Sequence, residues 1–484
     1  MTELQTGLLR PRDLTTPLRI AESAFVADGS VLGLSDFYDW FRTRTELDVA
    51  RVTRIPFDRL RQWSFHPDTG DVVHDSGRFF AVQGLEVRFP GGPVPVWAQP
   101  IINQPEMGIL GILVKEFNGV LHCLMQAKNE PGNRNGVQLS PTVQATKSNY
   151  SRVHQGKAVP YLEYFRDTSG HHVIADVLQS EQGAWFFQKR NRNMVVETRD
   201  DVEVLDGFCW LTIGQMHRLL ADEDLINMDS RTVMSCLPFS AADLPGAFSR
   251  DEDDFQTAVL RSCSEEYGSL HATGDILSWI TEARTLHGVE TSRIPLDEVR
   301  DWTRTDDAVS HRSGLFFDVI AVDVEVGHRE VSAWTQPMID PGGLGVVAFL
   351  VKRIGGVLHV LTHARVEPGY LDVVELAPTV QCSPRNLPAL PAEARPLFLD
   401  EVLSAGPDRI RFDAVLSEEG GRFYHAQNRY LVVEVDDDFG LDVPPDFRWV
   451  ALHQLVGLLR HSHYLNVQAR SLVACLHSLT SSPA

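Results

Sequence analysis

An α+β fold assembled twice from one mixed-sheet module is what this sequence predicts, on three observations. Long stretches recur at a near-constant spacing, apolar β-branched runs alternate with Gly, Asn and Pro punctuation, and each copy closes on residues of helical periodicity. The spacing is explicit: RIPFDRLRQW (54–63) matches RIPLDEVRDW (293–302) at 293 − 54 = 239, and LVKEFNGVLHCL (113–124) matches LVKRIGGVLHVL (350–361) at 237. SEQGAWFFQKRNRNMVVE (180–197) returns as SEEGGRFYHAQNRYLVVE (417–434), and LINMDSRTVMSCL (225–237) as YLNVQARSLVACL (464–476). So few shifts in register mean one fold, present twice.

Within a copy, Ser35 can cap a helix through DFYDWFRTR, and Pro56 suits the first turn of a helix over PFDRLRQW. The runs RFFAVQGLEVRF, VPVWAQPII, GILGILVKEF and GVLHCLMQA then read as strands. AWFFQKR and NMVVE read as further strands, before two helices over IGQMHRLLADEDLIN and SRTVMSCL. Four parts follow: an N-terminal arm over 1–34, a first repeat over 35–240, a linker over 241–270 and a second repeat over 271–484. The acidic, Pro- and Gly-rich PFSAADLPGAFSRDEDDF (238–255) is what suggests the linker.

A chain of 484 residues that is 43% hydrophobic can fill two cores. A formal charge of -21 offers no basic face for nucleic acid. No apolar run reaches the ~18–20 residues that span a bilayer, and no leader-like segment opens the sequence, so a soluble cytoplasmic protein is expected. Cys123, Cys209, Cys236, Cys263, Cys382 and Cys475 form no CxxC pair and no zinc spacing, which predicts reduced thiols and no metal site.

A duplication supplies its own comparison. Side chains alike in both copies serve the fold, and those polar in one copy alone are candidates for chemistry. QAKNEPGNRNGVQLSPTVQAT (126–146) keeps its frame in HARVEPGYLDVVELAPTVQCS (363–383) but loses its amides and hydroxyls there. Lys128, Asn133, Asn135, Gln138, Ser140 and Thr146 are among the residues replaced, by Arg365, Tyr370, Asp372, Glu375, Ala377 and Ser383, and Asn149, Tyr150 and His154 just beyond give way to an altered, proline-rich run. Gln138, Thr142, Gln144 and Thr146 alternate with Leu139, Pro141, Val143 and Ala145, which places the polar set on one face of an extended segment. The cationic run at 189–193 adds Lys189, Arg190, Asn191 and Arg192, with Gln182 upstream. Such a face, with cations nearby, can hold a neutral polar ring and a diphosphate. Trp63, Tyr161 and Tyr164 are candidate stacking or hydroxyl partners, although Trp63 recurs as Trp302 and also fits a core role.

The stretches GVLHCLMQAKNEPGNRNGVQLSPTVQATKSNY, YLEYF, SEQGAWFFQKRNRNMVVE and GFCWLTIGQMHRLLADEDLINMDSRTVMSCLP resemble the NDP-hexose 2,3-dehydratases of deoxysugar biosynthesis. The resemblance implies a lyase that removes water across C2 and C3 of dTDP-4-keto-6-deoxy-D-glucose to give a 3,4-diketo-2,6-dideoxy sugar. It also implies a Nudix-like fold in each repeat, a homodimer, a vestigial second pocket, no redox cofactor, and a 3-ketoreductase that consumes the labile product. The glutamate-rich box of Nudix hydrolases is missing, since Ala414 and Val415 stand where its Arg-Glu pair would fall before Glu418 and Glu419. Metal-assisted nucleotide-sugar hydrolysis, or binding without catalysis, are the alternatives. For the dehydration, Lys128, Tyr161 or Tyr164 is expected at the oxyanion or leaving hydroxyl, Glu130 or Glu181 as base, and Lys189, Arg190 and Arg192 at the diphosphate. Glu130 and Glu181 persist as Glu367 and Glu418, so either can be structural.

Overall fold

The apolar, β-branched runs above give strands, and in the computed structural model those of the described residues pair into four sheets. The structure describes residues 13, 15–29, 31–146, 159–240, 254–326 and 333–480. The first repeat's seven-stranded sheet runs His172–Ser180, Arg190–Glu197, Gly108–Phe117, Val120–Asn129, Phe208–Thr212. Val137–Ser140 adds to Val120–Asn129, and Val143–Ala145 to Gly108–Phe117. Arg190–Glu197 lies parallel to Gly108–Phe117 while the other pairings are antiparallel, so the sheet is mixed as expected. The second repeat reproduces this sheet in register: Asn191 opposite Gly108 becomes Asn428 opposite Gly345.

Each of the two five-stranded sheets borrows a strand. Ala50–Ile55 of the first repeat pairs with Asp318–Val326 of the second, and Glu290–Ile294 of the second pairs with Ala81–Arg88 of the first. Neither small sheet is complete without the other repeat. The main hydrophobic core is shared too, with Leu110, Ile112 and Val195 in one cluster with Val347, Phe349 and Val432. A second shared core joins Trp63, Phe80 and Phe186 to Phe317 and Phe423.

Three sequence-based expectations change, the first being that Ser35 lies inside the helix Leu34–Leu47, whose cap is Gly33. Phe57–Arg59 is one 3-10 turn, not the start of a helix: Gln62 adopts a left-handed φ of 65°, and the strand Trp63–Phe65 follows. AWFFQKR is not a strand, because Gln188 turns the chain at φ 49° and the strand begins at Arg190. The stretches expected as arm and linker each hold one helix. Thr15–Ala24 and Phe255–Ser262 bury matching faces, and Ser23 and Ser262 stand 262 − 23 = 239 apart. The Ser23 hydroxyl donates to Leu121 O (2.6 Å) and accepts from Ile213 N (3.0 Å); the Ser262 hydroxyl donates to Leu358 O (2.5 Å) and accepts from Leu452 N (2.8 Å). The six cysteines form no disulfide. Among the described residues no helix is long and apolar enough to cross a membrane.

Candidate functional site

The motifs kept in both repeats meet each other. Gly132 N donates to Gly420 O (2.6 Å) and Gly132 O accepts from His425 N (2.9 Å), so the EPG turn of the first repeat docks backbone to backbone on the SEEGG turn of the second. The mirror contact joins Gly369 N to Gly183 O (2.7 Å) and Gln188 N to Gly369 O (2.8 Å). A Cβ on Gly132 would lie 1.8 Å from Phe423 O, and one on Gly369 1.8 Å from Phe186 O. Only glycine permits this approach.

Around the first joint the sequence gathers charge. Glu130 accepts from Gln144 Nε2 (2.9 Å) and Lys128 Nζ (3.3 Å) through the same oxygen. Val143 and Ala145 pack into an apolar core, which leaves Gln144 on the opposite face of that strand. Glu181 accepts from Asn191 Nδ2 (2.6 Å), itself fixed by Gly108 N (2.9 Å). The second repeat contributes Glu419, which accepts from Gly421 N (3.0 Å) and Arg422 N (2.7 Å). The Arg422 guanidinium lies over the Phe80 ring at 4.3 Å and donates to Gln104 Oε1 (3.2 Å). Lys189 donates to the carbonyl of Glu106, and Asp229 stands on the helix Met228–Met234.

Burial decides how these groups titrate. Removal from water, then Glu130 and Glu181 nearby, pushes the Glu419 carboxyl up to about 7 against the pull of Arg422. Burial lowers the Lys189 ammonium to about 8, with Glu181 opposing and Arg422 assisting. Asp229 is raised well above the carboxylate range, by burial first and then by Glu181, Glu130 and Glu419. Glu181 is raised mainly by burial, with Arg470 and Lys189 opposing. Asn133 Oδ1, Glu181 Oε2 and Gln144 Oε1 are buried without a hydrogen-bond partner among the described residues, which marks room for a polar ligand or water.

The mirror joint differs at most of the same places. Arg365 replaces Lys128 and donates to Glu367 Oε1 (2.9 Å). Tyr370 replaces Asn133 and packs its ring against Gly183. Gln468, Ala426, Gln182 and Trp185 stand where the first joint has Asp229, Lys189, Glu419 and Arg422. Glu367 Oε2 and Glu375 Oε1 lack hydrogen-bond partners there among the described residues, so open polar atoms do not separate the joints. The separation is in charge: Glu130, Glu181, Asp229, Glu419, Lys128, Lys189 and Arg422 on one side, against Glu367, Glu375, Glu418 and Arg365 on the other.

Of the residues expected from sequence, Lys128, Glu130, Asn133, Gln144, Glu181, Lys189 and Asn191 come together here. Gln138 and Asn135 stitch the repeats: Ser417 Oγ donates to Gln138 Oε1 (2.8 Å), Gln138 Nε2 to Asn135 Oδ1 (3.0 Å), and Asn135 Nδ2 to Asp224 O (3.0 Å). Ser140 accepts from Asn227 Nδ2 (2.9 Å). Thr142 is a structural pin, because its hydroxyl accepts from Leu113 N (2.8 Å) and donates to Leu124 O, as Thr379 does in the second repeat. Its place between Val137–Ser140 and Val143–Ala145, which pair with different strands, breaks the single extended face expected over 138–146. Gln182 donates to Glu418 Oε2 (2.7 Å) and belongs to the mirror joint.

Other expected residues lie elsewhere. The Tyr161 hydroxyl donates to Glu203 O (2.8 Å) and accepts from Leu205 N (2.9 Å), with its ring against Phe208 in a separate core. Tyr164 packs on that core, near His171. Arg192 is held by Asp176 through two bonds (2.7 and 2.6 Å), as Arg429 is by Asp413, so the pair serves the sheet in both repeats. Trp63 packs tilted against Phe80 with ring centroids 4.6 Å apart, as Trp302 does against Phe317 at 4.7 Å, which is a core arrangement. Arg190 is half-buried beside Lys189, and Thr146 has its own bonding partner. Asn149, Tyr150 and His154 lie outside the described residues. Sequence reasoning missed Asp229, Glu419 and Arg422. Asp229 against Gln468 is a polar difference of the kind sought, visible in the matched stretch 225–237.

Comparison with known proteins supplies the remaining finding. The sequence model for NDP-hexose 2,3-dehydratases matches residues 34–237 and again 273–476. A dTDP-4-dehydro-6-deoxy-alpha-D-glucopyranose 2,3-dehydratase of Saccharopolyspora spinosa is 50% identical over 477 residues, covering 99% of this chain and 98% of the relative. Proteins of the same name from Amycolatopsis orientalis and Streptomyces violaceoruber are 49% and 48% identical, covering 98% and 92% of this chain and 97% of each relative.

Proposed function

The chain belongs to the NDP-hexose 2,3-dehydratase family, and from that premise we propose that its reaction takes place at the first joint, with groups from both repeats. The enzyme is a lyase that removes water from a dTDP-4-keto-6-deoxyhexose in deoxysugar biosynthesis. The gathering of four carboxylates and three cations at the Gly132–Gly420 contact, against three and one at its mirror, is the observation that supports the location. A 4-ketone acidifies the C3 hydrogen, so the reaction needs a base at C3 and donors for the enolate oxygen at C4.

Glu419 is the base of this proposal. A carboxyl titrating near 7 takes a proton at neutral pH and still holds it well enough to be a useful base. Glu130, tied to Lys128 and Gln144 through one oxygen, instead positions the Lys128 ammonium. Lys128 and Lys189 supply charge to the enolate oxygen, and a lysine lowered to about 8 is a strong donor. Arg190, next to Lys189 in sequence, meets the diphosphate. Each repeat is Nudix-like in this proposal, supported by its mixed sheet with one parallel pairing and by its helices. A homodimer, testable by light scattering, and a downstream 3-ketoreductase complete it.

The test follows dTDP-4-keto-6-deoxyglucose by NMR in D2O with EDTA, a 3-ketoreductase and its reduced nicotinamide trapping the product. Glu419→Gln should lose about 10²–10⁴-fold in turnover together with exchange at C3. In the parent enzyme kcat/KM should rise as pH passes about 7, where Glu419 ionises, and fall above about 8, where Lys189 loses its proton. Normal turnover by Glu419→Gln would remove it from the base role.

A further inference from the structure

We propose that Asp229 is the acid that protonates the departing C2 hydroxyl, an assignment that rests on the first joint being the reaction pocket. The turn carrying it is fixed from several sides. Asn227 Oδ1 accepts from Ser230 N (2.8 Å) while its amide is held on Ser140 Oγ (2.9 Å), and Ser230 Oγ donates to Leu139 O (2.9 Å). Met228 Sδ lies 2.9 Å from Gln182 Nε2, which sets the same turn against the loop that begins at Glu181. Asp229 is only 4% exposed, and the charges that act on it are Glu181, Glu130, Glu419 and Lys128, all members of the joint. Among the described residues no hydrogen bond ties down its carboxylate.

Two further facts give Asp229 a chemical role instead of a structural one. Burial among three other carboxyl groups favours its protonated form, so it enters the reaction with a proton to give. The second repeat keeps the helix start, with Asn466 Oδ1 accepting from Ala469 N (2.8 Å), yet carries Gln468 at this position. The turn therefore folds without an acid.

The step balances without any added reagent. Glu419 takes the C3 proton and the electrons of the C3–H bond form the C3=C4 enolate. As the C4 carbonyl re-forms, a C2=C3 double bond forms and the C2–O bond breaks, and the departing oxygen takes the proton of Asp229 and leaves as water. The enol then exchanges its C3 hydroxyl proton for one at C2, and a proton passed from Glu419 to Asp229 restores both groups.

Leaving-group replacement tests the assignment, because fluoride departs from C2 without an acid. Asp229→Asn, and Asp229→Gln in the form the second repeat already carries, should lose about 10²–10⁴-fold in water loss. Substrate recovered from either variant in D2O should nevertheless carry deuterium at C3, which shows a folded enzyme with a working base. The 2-deoxy-2-fluoro analogue of the substrate should release fluoride, followed by 19F NMR, within about threefold of the parent rate. Undiminished water loss by both variants, or loss of C3 exchange and fluoride release together, would overturn the assignment. Retained exchange in Glu419→Gln would instead remove the base proposed above and leave Asp229 standing.

Discussion

At the scale of single residues, the contrast between Gly132 and its surroundings makes a sharp test. Its backbone is sandwiched between Gly420 O and His425 N, and a methyl group would meet Phe423 O at 1.8 Å. Gly132→Ala should therefore destabilise by the upper end of the ~1–3 kcal/mol typical of overpacking. Gly369→Ala, with the same 1.8 Å clash at the mirror joint, should lower the melting temperature similarly but spare more activity. An unchanged melting temperature in both variants would mean that the joint yields easily. The same scale shows what single residues disclosed in the sequence. Asn133 and Lys189 were legible because the duplicate carries Tyr370 and Ala426 in their places. Thr142 was misleading because a hydroxyl in a polar-looking row can be spent between two strands. Glu419 and Arg422 were hidden because they lie in the copy that had lost the cations at 189 and 190. Nothing local shows that one repeat's turn docks on the other's.

Elements were legible in proportion to how far their own residues determine them. The long apolar runs at 108–117, 120–129, 344–354 and 357–366 became strands buried on both faces along most of their length, since a continuous apolar, β-branched run is a local property. The short PFDRLRQW did not become a helix, because Phe57 and Trp63 are both drawn into the second core. Proline at a permitted position could not outweigh that packing. Thr15–Ala24 and Phe255–Ser262 were concealed in an arm and a linker because their flanks are rich in charge, proline and glycine. Each serine there bonds one strand carbonyl and one helix-start amide, so loss of the hydroxyl leaves two buried groups unsatisfied. Ser23→Ala and Ser262→Ala should each cost about 1–3 kcal/mol, measured by urea unfolding. If both were neutral, the two helices would be appendages, as the arm and linker boundaries first implied.

For the whole molecule the exchanged strands matter most. The first repeat can fill its small sheet only with Glu290–Ile294, and the second only with Ala50–Ile55. Between them lie a common core and two backbone-to-backbone joints. An unpaired strand edge and an uncovered apolar face are both liabilities in an isolated half. Residues 1–253 and 254–484, produced separately, should accordingly aggregate or stay unfolded by circular dichroism. Produced together they should assemble and dehydrate the sugar, because each joint is intermolecular in such a pair and no catalytic group lies at the cut. A cooperative melt for residues 1–253 alone would show that the borrowed strand is dispensable. In the proposed arrangement the second repeat brings Glu419 and Arg422 to the joint that holds Asp229 and Lys189, although Gln468 and Ala426 stand at its own matching positions, and the first repeat's turn packs against its glycines. Restoring Lys and Asp at 426 and 468 would therefore leave the second pocket without a counterpart of Glu419, since that position is Gln182 in the first repeat.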